Sequence, residues 1–126
     1  MSKIFVVEDD KYIGRVYERA FRLAGHDLEI ADDGELAWAA LSTMTSLPSV
    51  IILDIMIPKI SGTDLLGKIR SDRRFDHTPV AMLTNSFQED LEKQLMAAGA
   101  DMYLIKIDHD PKDVVARIGD LIRKSR

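Results

Sequence analysis

Three short runs of consecutive apolar residues constrain the fold of this chain more than any other feature. They cover residues 4–7, 50–53 and 80–83, are rich in aliphatic and β-branched side chains, and end at polar residues. A strand with one solvent-exposed face alternates apolar and polar residues. An uninterrupted apolar run therefore predicts a strand buried on both faces, as in a parallel sheet covered by helices. Two weaker runs, 28–31 and 102–105, bring the predicted strands to five.

Helical patterns lie between these runs. Apolar repeats predict helices over residues 11–24, 35–43, 63–70 and 88–98, and from residue 111 towards the end of the sequence. The start of the last helix is the clearest, because Asp110 suits the N-cap and Pro111 suits the first helical position. Strands and helices that alternate five times, joined by right-handed crossovers, favour an α/β fold with a doubly wound parallel sheet.

Length and composition narrow the function. The 126 residues favour a single domain over 1–126. The absence of cysteine excludes a disulfide framework and thiolate chemistry and agrees with a reducing compartment, so we expect a cytoplasmic protein. With 17 Lys and Arg against 21 Asp and Glu, the net charge of −4 argues against direct nucleic-acid binding. No apolar stretch approaches the length of a membrane span, so no membrane partner is expected.

Charged and polar side chains follow the predicted strands at the point where each ends. They are Glu8, Asp9 and Asp10 after the first strand, Asp54 after the third, Thr84 after the fourth and Lys106 after the fifth. The carboxyl ends of parallel strands share one edge, where sheets of this kind bind their ligands, so these side chains should converge.

Such a convergence of acids has two readings. Carboxylates ~4 Å apart repel by a few kcal/mol, one ammonium cannot balance three of them, and an oxygen-lined notch suits Mg²⁺. Alternatively, individual acids are solvated or cap the next helix, as Asp9 or Asp10 could do for the helix that begins near Lys11. The presence of Thr84 and Lys106 beside the acids favours the metal site.

The order and spacing of four motifs resemble the receiver domain of two-component response regulators over the whole length of the chain. These motifs are Val6-Val7-Glu8-Asp9-Asp10, Leu53-Asp54-Ile55-Met56-Ile57-Pro58 followed by Gly62, residues 79–84, and Gly99-Ala100-Asp101 through Tyr103 to Lys106. The resemblance implies a flavodoxin-like (βα)5 sheet with strand order 2-1-3-4-5.

The resemblance also implies a phosphoryl-accepting site. Asp54 would be the phosphoacceptor for a histidine kinase or a histidine phosphotransfer protein. Glu8, Asp9, Asp54 and the backbone carbonyl of Met56 would hold Mg²⁺ or Mn²⁺. Asp10 is then the extra acid, expected to cap a helix. The protein would be a phosphorylated switch with autodephosphorylation rather than a turnover enzyme.

Thr84 and Lys106 would bind phosphoryl oxygens, and Thr84 and Tyr103 would carry the switch. In the family, Tyr103 turns inward after phosphorylation, which changes the surface formed by helix four, strand five and helix five. For Tyr103 alone, a half-buried strand tyrosine is the competing reading. The implied partners are a downstream protein or a fused output domain, and a phosphorylation-dependent homodimer.

Three departures from the family pattern keep another function open. Ile107 stands where proline is usual, so the Lys106 loop should sit differently. Asn85 replaces a small residue, so phosphoryl entry or dephosphorylation should change. Met102 replaces one member of an acidic pair used in dimers, while Asp101 remains. A pseudo-receiver, an interaction module that works without phosphorylation, is therefore the alternative.

A true enzyme on the same fold is less favoured. A flavin phosphate after the first strand would meet Glu8, Asp9 and Asp10, and a haloacid-dehalogenase-type phosphatase needs a second Asp where Met56 stands. Some conspicuous side chains have ordinary explanations. His26, His77 and His109 lack ligand spacing and should be solvated or locally hydrogen-bonded, and Trp38 should be a packing residue.

Overall fold

A computed structural model describes residues 2–85 and 87–125. Its strands are β1 (Lys3–Val7), β2 (Asp27–Ala31), β3 (Val50–Leu53), β4 (Val80–Thr84) and β5 (Met102–Ile105). Its α-helices are α1 (Lys11–Leu23), α2 (Gly34–Thr43), α3 (Gly62–Arg70), α4 (Glu89–Ala97) and α5 (Pro111–Lys124). Single 3₁₀ turns cover Arg73–Phe75 and Lys106–Asp108. No helix in this part of the chain is both long and apolar enough to cross a bilayer.

The strands form one parallel sheet in the order β2-β1-β3-β4-β5, which confirms the predicted fold class. Val7 at the end of β1 is in register with Ala31 of β2 and Leu53 of β3. The chain therefore leaves β1 and β3 side by side, and the amide of Asp54 donates to the carbonyl of Val7 at 3.2 Å.

Apolar clusters cover both faces of the sheet. All four residues of β3 are buried, and because successive side chains point to opposite faces, Ile51 and Leu53 join one cluster while Val50 and Ile52 join the other. Each such side chain stabilises the fold by roughly 1.5–3 kcal/mol through burial. This two-sided burial explains the uninterrupted apolar runs in the sequence.

The predicted element boundaries hold to within a residue or so, and capping explains several of the differences. Asp33 and Ser61 accept backbone amides as N-caps, so α2 and α3 each begin one residue earlier than predicted. The stretch between α3 and β4, predicted as plain loop, contains a 3₁₀ turn whose Phe75 is fully buried.

Candidate functional site

The acids that follow β1 and β3 meet at the carboxyl edge of the sheet. One carboxylate oxygen from each of Glu8, Asp9 and Asp54 lies within 4.8 Å of the others. Glu8 and Asp54 are only 4% and 5% exposed, whereas Asp9 is open to solvent. Hard divalent cations such as Mg²⁺ prefer several carboxylate oxygens together with open positions for water, so this donor set fits such an ion.

Lys106 reaches the same acids from the end of β5. Its Nζ donates to Oε1 of Glu8 at 2.5 Å and to Oδ2 of Asp54 at 2.9 Å, and its side chain is 9% exposed. The predicted convergence of this ammonium with the acids is therefore present. The cluster contains three carboxylates and one ammonium, so a further cation would be attracted to it.

Burial and pairing oppose each other in the pKa values of this cluster. Burial alone would lower the pKa of Lys106, but its hydrogen bonds to Glu8 and Asp54 raise that pKa above its usual value. Burial raises the pKa of Glu8, against the lowering effect of Lys106. Lys106 therefore stays protonated beside Asp54.

Thr84 ends β4 at the same edge and is 4% exposed. It is in register with Ile105, the residue before Lys106, so both strand ends stop at the same level. Asn85 follows Thr84 and is exposed, lining a crevice with Lys106 and Tyr12. Its predicted effect on phosphoryl entry stays a prediction.

Asp10 caps α1, as expected for the extra acid. Its Oδ1 accepts the amides of Tyr12 and Ile13 at 2.9 and 3.1 Å. Its own amide donates to Oε2 of Glu8 at 3.2 Å, which helps to orient that carboxylate. Asp10 therefore acts as the N-cap of α1.

The loop after β3 contacts Asp54 through its backbone. The amide of Met56 donates to Oδ1 of Asp54 at 3.2 Å, so both oxygens of this carboxylate are held, the other by Lys106. The Met56 side chain is 79% exposed and covers no buried surface. Metal ligation by the Met56 carbonyl stays a prediction.

Two glycines fix the path of that loop. A Cβ added to Gly62 would lie 2.1 Å from the carbonyl oxygen of Asp54, and one added to Gly34 would lie 2.0 Å from that of Ile60. The amide of Gly62 also donates to Ile55 at 3.0 Å. The starts of α2 and α3 thus close on residues 54–60 at distances that no other residue type allows.

Tyr103 lies on β5, partly buried against the core cluster that contains Phe5 and Leu53. Burial raises the pKa of its hydroxyl group, opposed by a hydrogen bond with the Gln88 backbone at the start of α4. Tyr103 therefore connects β5 to α4, on the surface predicted to change on phosphorylation. Its inward rotation stays a prediction.

Ile107 lies in the turn that follows β5, and whether this turn differs from one with proline stays a prediction. All peptide bonds of the described residues are trans, and Lys106–Asp108 forms a 3₁₀ turn with Ile107 85% exposed. Lys106 still points to Asp54 in this arrangement. Replacing the usual proline therefore does not turn the ammonium away.

Sequence reasoning missed an apolar rim around the acids. It comprises the exposed side chains of Tyr12, Met56, Phe87 and Ile107, which are 77%, 79%, 55% and 85% exposed. They follow β1, β3, β4 and β5 by two to five residues, so they stand at the same edge as the cluster. Tyr12 and Ile107 line one crevice together. Their positions just after the strand ends are the signal that could have revealed them.

Asp101 lies at the opposite, amino edge of the sheet and is used within the chain. Its Oδ2 accepts the amide of Val80 at 2.8 Å and Nη2 of Arg70 at 3.0 Å. Arg70 also donates to the carbonyls of Phe75, Thr78 and Gly99 at 2.7–2.9 Å. The remaining acid of the expected dimer pair therefore already has partners inside its own chain.

Trp38 and His109 match their ordinary explanations, whereas Nδ1 of His26 is buried without a hydrogen-bond partner among the described residues, contrary to the expectation. Trp38 is half-buried against the core, with Nζ of Lys68 5.9 Å from its ring centre. His109 bonds locally to Asp113, and His26 packs edge-on against Phe21.

The sheet order and the acid cluster beside a buried ammonium define a class of flavodoxin-like proteins with an acidic cluster at the carboxyl edge. The sequence model of the response regulator receiver domain matches residues 4–119. The chain therefore belongs to the receiver domain family of two-component response regulators.

Two similar proteins are transcriptional regulators. The chain is 36% identical over 126 residues to the transcriptional regulatory protein CpxR of Klebsiella pneumoniae, covering 99% of this chain and 51% of that protein. It is 34% identical over 125 residues to the DNA-binding dual master transcriptional regulator RpaA of Synechocystis, again covering 99% and 51%. The chain thus spans about half the length of these relatives.

Solved receiver structures share the fold. The receiver domain of the Francisella response regulator 1452 matches with a TM-score of 0.88 at 27% identity, covering 100% of both chains. The Mn²⁺-bound form of response regulator Rcp1 matches with a TM-score of 0.79 at 26% identity, covering 99% of this chain and 89% of that one.

Proposed function

We propose that residues 1–126 form one phosphoacceptor receiver domain, in which Asp54 takes a phosphoryl group from a phosphohistidine of a kinase or a phosphotransfer protein. The observation that carries this proposal is the placement of the buried Asp54 carboxylate between the Lys106 ammonium and two further acids. A carboxylate can attack phosphorus without a general base, so the site mainly has to align the reactants and neutralise charge.

In the proposed step, an oxygen of Asp54 bonds to phosphorus as the phosphorus–nitrogen bond to the donor imidazole breaks, and the imidazole leaves with that electron pair. Met56 and Lys106 already hydrogen-bond to the two oxygens of Asp54, which limits rotation of the nucleophile. The Lys106 ammonium and the Thr84 hydroxyl would bind two of the transferring oxygens.

Glu8, Asp9, Asp54 and the carbonyl of Met56 would hold Mg²⁺ or Mn²⁺. The three carboxylates support this assignment because their oxygens lie within 4.8 Å of one another. When bound, the ion supplies positive charge that offsets the charge of the phosphoryl oxygens.

The output would be a change in the surface of α4, β5 and α5. Phosphorylation would draw the Thr84 hydroxyl inward and allow Tyr103 to turn towards the space it leaves. The partly buried position of Tyr103 beside the start of α4 supports this role, because movement of its ring would alter packing against that helix.

The apolar rim suggests that the phosphodonor is a protein. We place both proteins in the cytoplasm. Four exposed apolar side chains around the acids suit an apolar protein surface that presents a phosphohistidine. The receiver would act on a downstream protein, on a fused output domain or through a phosphorylation-dependent homodimer. A fused domain agrees with the greater length of the named relatives. The chain would be a signalling switch rather than a turnover enzyme.

One observation favours a second candidate, a pseudo-receiver that binds its partner without phosphorylation. Lys106 already has two carboxylate partners, Glu8 and Asp54, so it is satisfied in the absence of phosphate. The retained acids still favour the phosphoacceptor.

The test is incubation with Mg²⁺ and acetyl phosphate followed by intact-mass measurement. The expected result is one added phosphoryl group, labile in acid and base and absent from Asp54→Asn. Asp10→Asn is the matched control, because it removes a neighbouring charge and keeps a good N-cap. It should take up phosphate as the parent does. Uptake by Asp54→Asn, or no uptake by the parent from acetyl phosphate or a phosphohistidine donor, refutes the proposal.

A further inference from the structure

Apart from the Lys106 side chain, which hydrogen-bonds to Glu8 and Asp54, the turn that carries it has few restraints of its own. Lys106–Asp108 is a single 3₁₀ turn with no side-chain cap and no buried residue. Ile107 at its centre is 85% exposed, so it does not anchor the turn in the core. Besides those bonds of Lys106, the turn is held at its two ends, by β5 on one side and by His109 on the other.

His109 connects this turn to α5. Its backbone amide donates to the carbonyl of Lys106 at 3.4 Å, and its Nδ1 hydrogen-bonds to Oδ2 of Asp113 in the first helical turn. The imidazole is 16% exposed. His109 lines a crevice together with Tyr12 and Lys106, so it lies beside the chain segment it would steady.

The other end of this connection is fixed. Asp110 accepts the amide of Asp113 at 2.8 Å as the N-cap of α5, and Val114 and Ile118 of that helix are fully buried. Movement of Asp113 would disturb both the cap and the core. A bond from His109 to this carboxylate therefore ties the exposed turn to a rigid helix.

Asp113 is prepared to accept that bond. Nε of Arg117 donates to the same Oδ2 at 3.1 Å. The hydrogen bonds from His109 and Arg117 lower the pKa of Asp113 below its usual value, so its carboxylate remains charged at neutral pH. A charged acceptor makes a stronger hydrogen bond than a neutral one.

We propose that His109 is a positioning residue: through Asp113 it holds the 106–108 turn so that the Lys106 ammonium stays directed at Glu8 and Asp54. Its importance for phosphoryl transfer rests on the proposed function. The placement of Lys106, however, can be measured without phosphate or metal.

The first test measures protection of the Lys106 amine. In the parent chain this buried, hydrogen-bonded amine should react slowly with an N-hydroxysuccinimide ester, and peptide mass spectrometry gives the rate at each lysine. His109→Ala should raise acylation of Lys106 roughly tenfold, the size expected for losing a hydrogen bond to a charged group. Lys93, whose side chain is 72% exposed, is the internal control and should not change.

Two variants separate this role from general loosening of the fold. His109→Asn keeps a nitrogen donor near the position of Nδ1 and should restore most of the protection, whereas Asp113→Ala should remove it as His109→Ala does. Unchanged acylation of Lys106 in both His109→Ala and Asp113→Ala would overturn the proposal. So would an equal loss of protection in His109→Asn.

The second test asks whether His109 acts through Lys106. His109→Ala should slow phosphorylation by acetyl phosphate roughly tenfold in the parent chain and have no further effect in Lys106→Met. An equal slowing in both backgrounds would assign His109 a general structural role and overturn the proposal. If the parent takes up no phosphate, the proposed function fails, while the acylation result still decides whether His109 positions Lys106.

Discussion

Arg70 at the amino edge of the sheet and Lys106 at the carboxyl edge are both cations surrounded by oxygen atoms. Arg70 donates to three backbone carbonyls and to the carboxylate of Asp101. Lys106 donates to the carboxylates of Glu8 and Asp54, with Asp9 nearby. The two sites differ in the charge of their acceptors.

That difference leaves one contact electrically balanced and the other with excess negative charge. Carbonyl oxygens bear no net charge, so the guanidinium of Arg70 and the single carboxylate of Asp101 balance each other. At the carboxyl edge one ammonium faces three acids, which leaves net negative charge and a place for a further cation. Of these two sites, only the one at the carboxyl edge therefore has excess charge.

Removing Arg70 should have the largest effect on the fold. Arg70→Ala should lower the free energy of unfolding by about 2–4 kcal/mol, because several buried acceptors lose their donor at once. Urea denaturation measures the change. Arg22→Ala is the control, since Arg22 pairs with Glu18 and Asp27 on the surface and should matter far less. Equal losses in the two variants would contradict a structural role specific to Arg70.

Removing Lys106 should instead change cation binding. Lys106→Met should tighten Mg²⁺ binding about tenfold, because a positive charge that repels the ion is lost from the acid cluster. It should also slow phosphorylation by acetyl phosphate. Isothermal titration calorimetry gives the affinity, and Arg70→Lys should leave it unchanged. Weaker Mg²⁺ binding in Lys106→Met would show that the ammonium organises the acids rather than competing with the ion.

Asp10 tests whether every acid at the carboxyl edge belongs to the charged cluster. Asp10→Ala should cost about 1 kcal/mol of unfolding free energy through loss of the α1 cap, and Asp10→Ser should recover most of it. Mg²⁺ affinity should change less than twofold, because the charge of the exposed Asp10 is screened by solvent and salt. A loss of Mg²⁺ affinity as large as that of Glu8→Ala would move Asp10 into the metal site.

His26, before β2 at the amino edge, should give the smallest effect. Burial lowers its pKa, and its buried Nδ1 has no hydrogen-bond partner among the described residues. The unfolded chain therefore binds a proton at higher pH than the folded chain, so stability should fall as the pH drops below about 6.5. The thermal midpoint measured between pH 7.5 and 5.5 should fall more in the parent than in His26→Gln. Equal pH dependence would assign the effect to other groups.

The sequence predicted the fold well because the sheet is buried on both faces. Residues 50–53 form a strand with the predicted bounds, and Asp110 with Pro111 marks the start of α5 correctly. These signals are local, so a single chain reveals them. The small shifts at α2 and α3 arose because a cap side chain, rather than the apolar repeat, decides where a helix begins.

The site was predicted less evenly. The placement of Glu8, Asp54 and Lys106 at strand ends follows from sheet topology, and the structure brings them together. The contacts of Arg70 were missed, since its partner Asp101 lies 31 residues away and its other acceptors are backbone carbonyls that every residue possesses. Local sequence carries no signal for such a contact.

The two glycines that close on the loop after β3 have a mechanical consequence. With Gly62 against Asp54 and Gly34 against Ile60, a backbone shift of this loop towards α2 or α3 would bring atoms into collision. The backbone that carries Asp54 therefore has little room to move, and the exposed Met56 side chain is the part of this loop that can change conformation without such collisions.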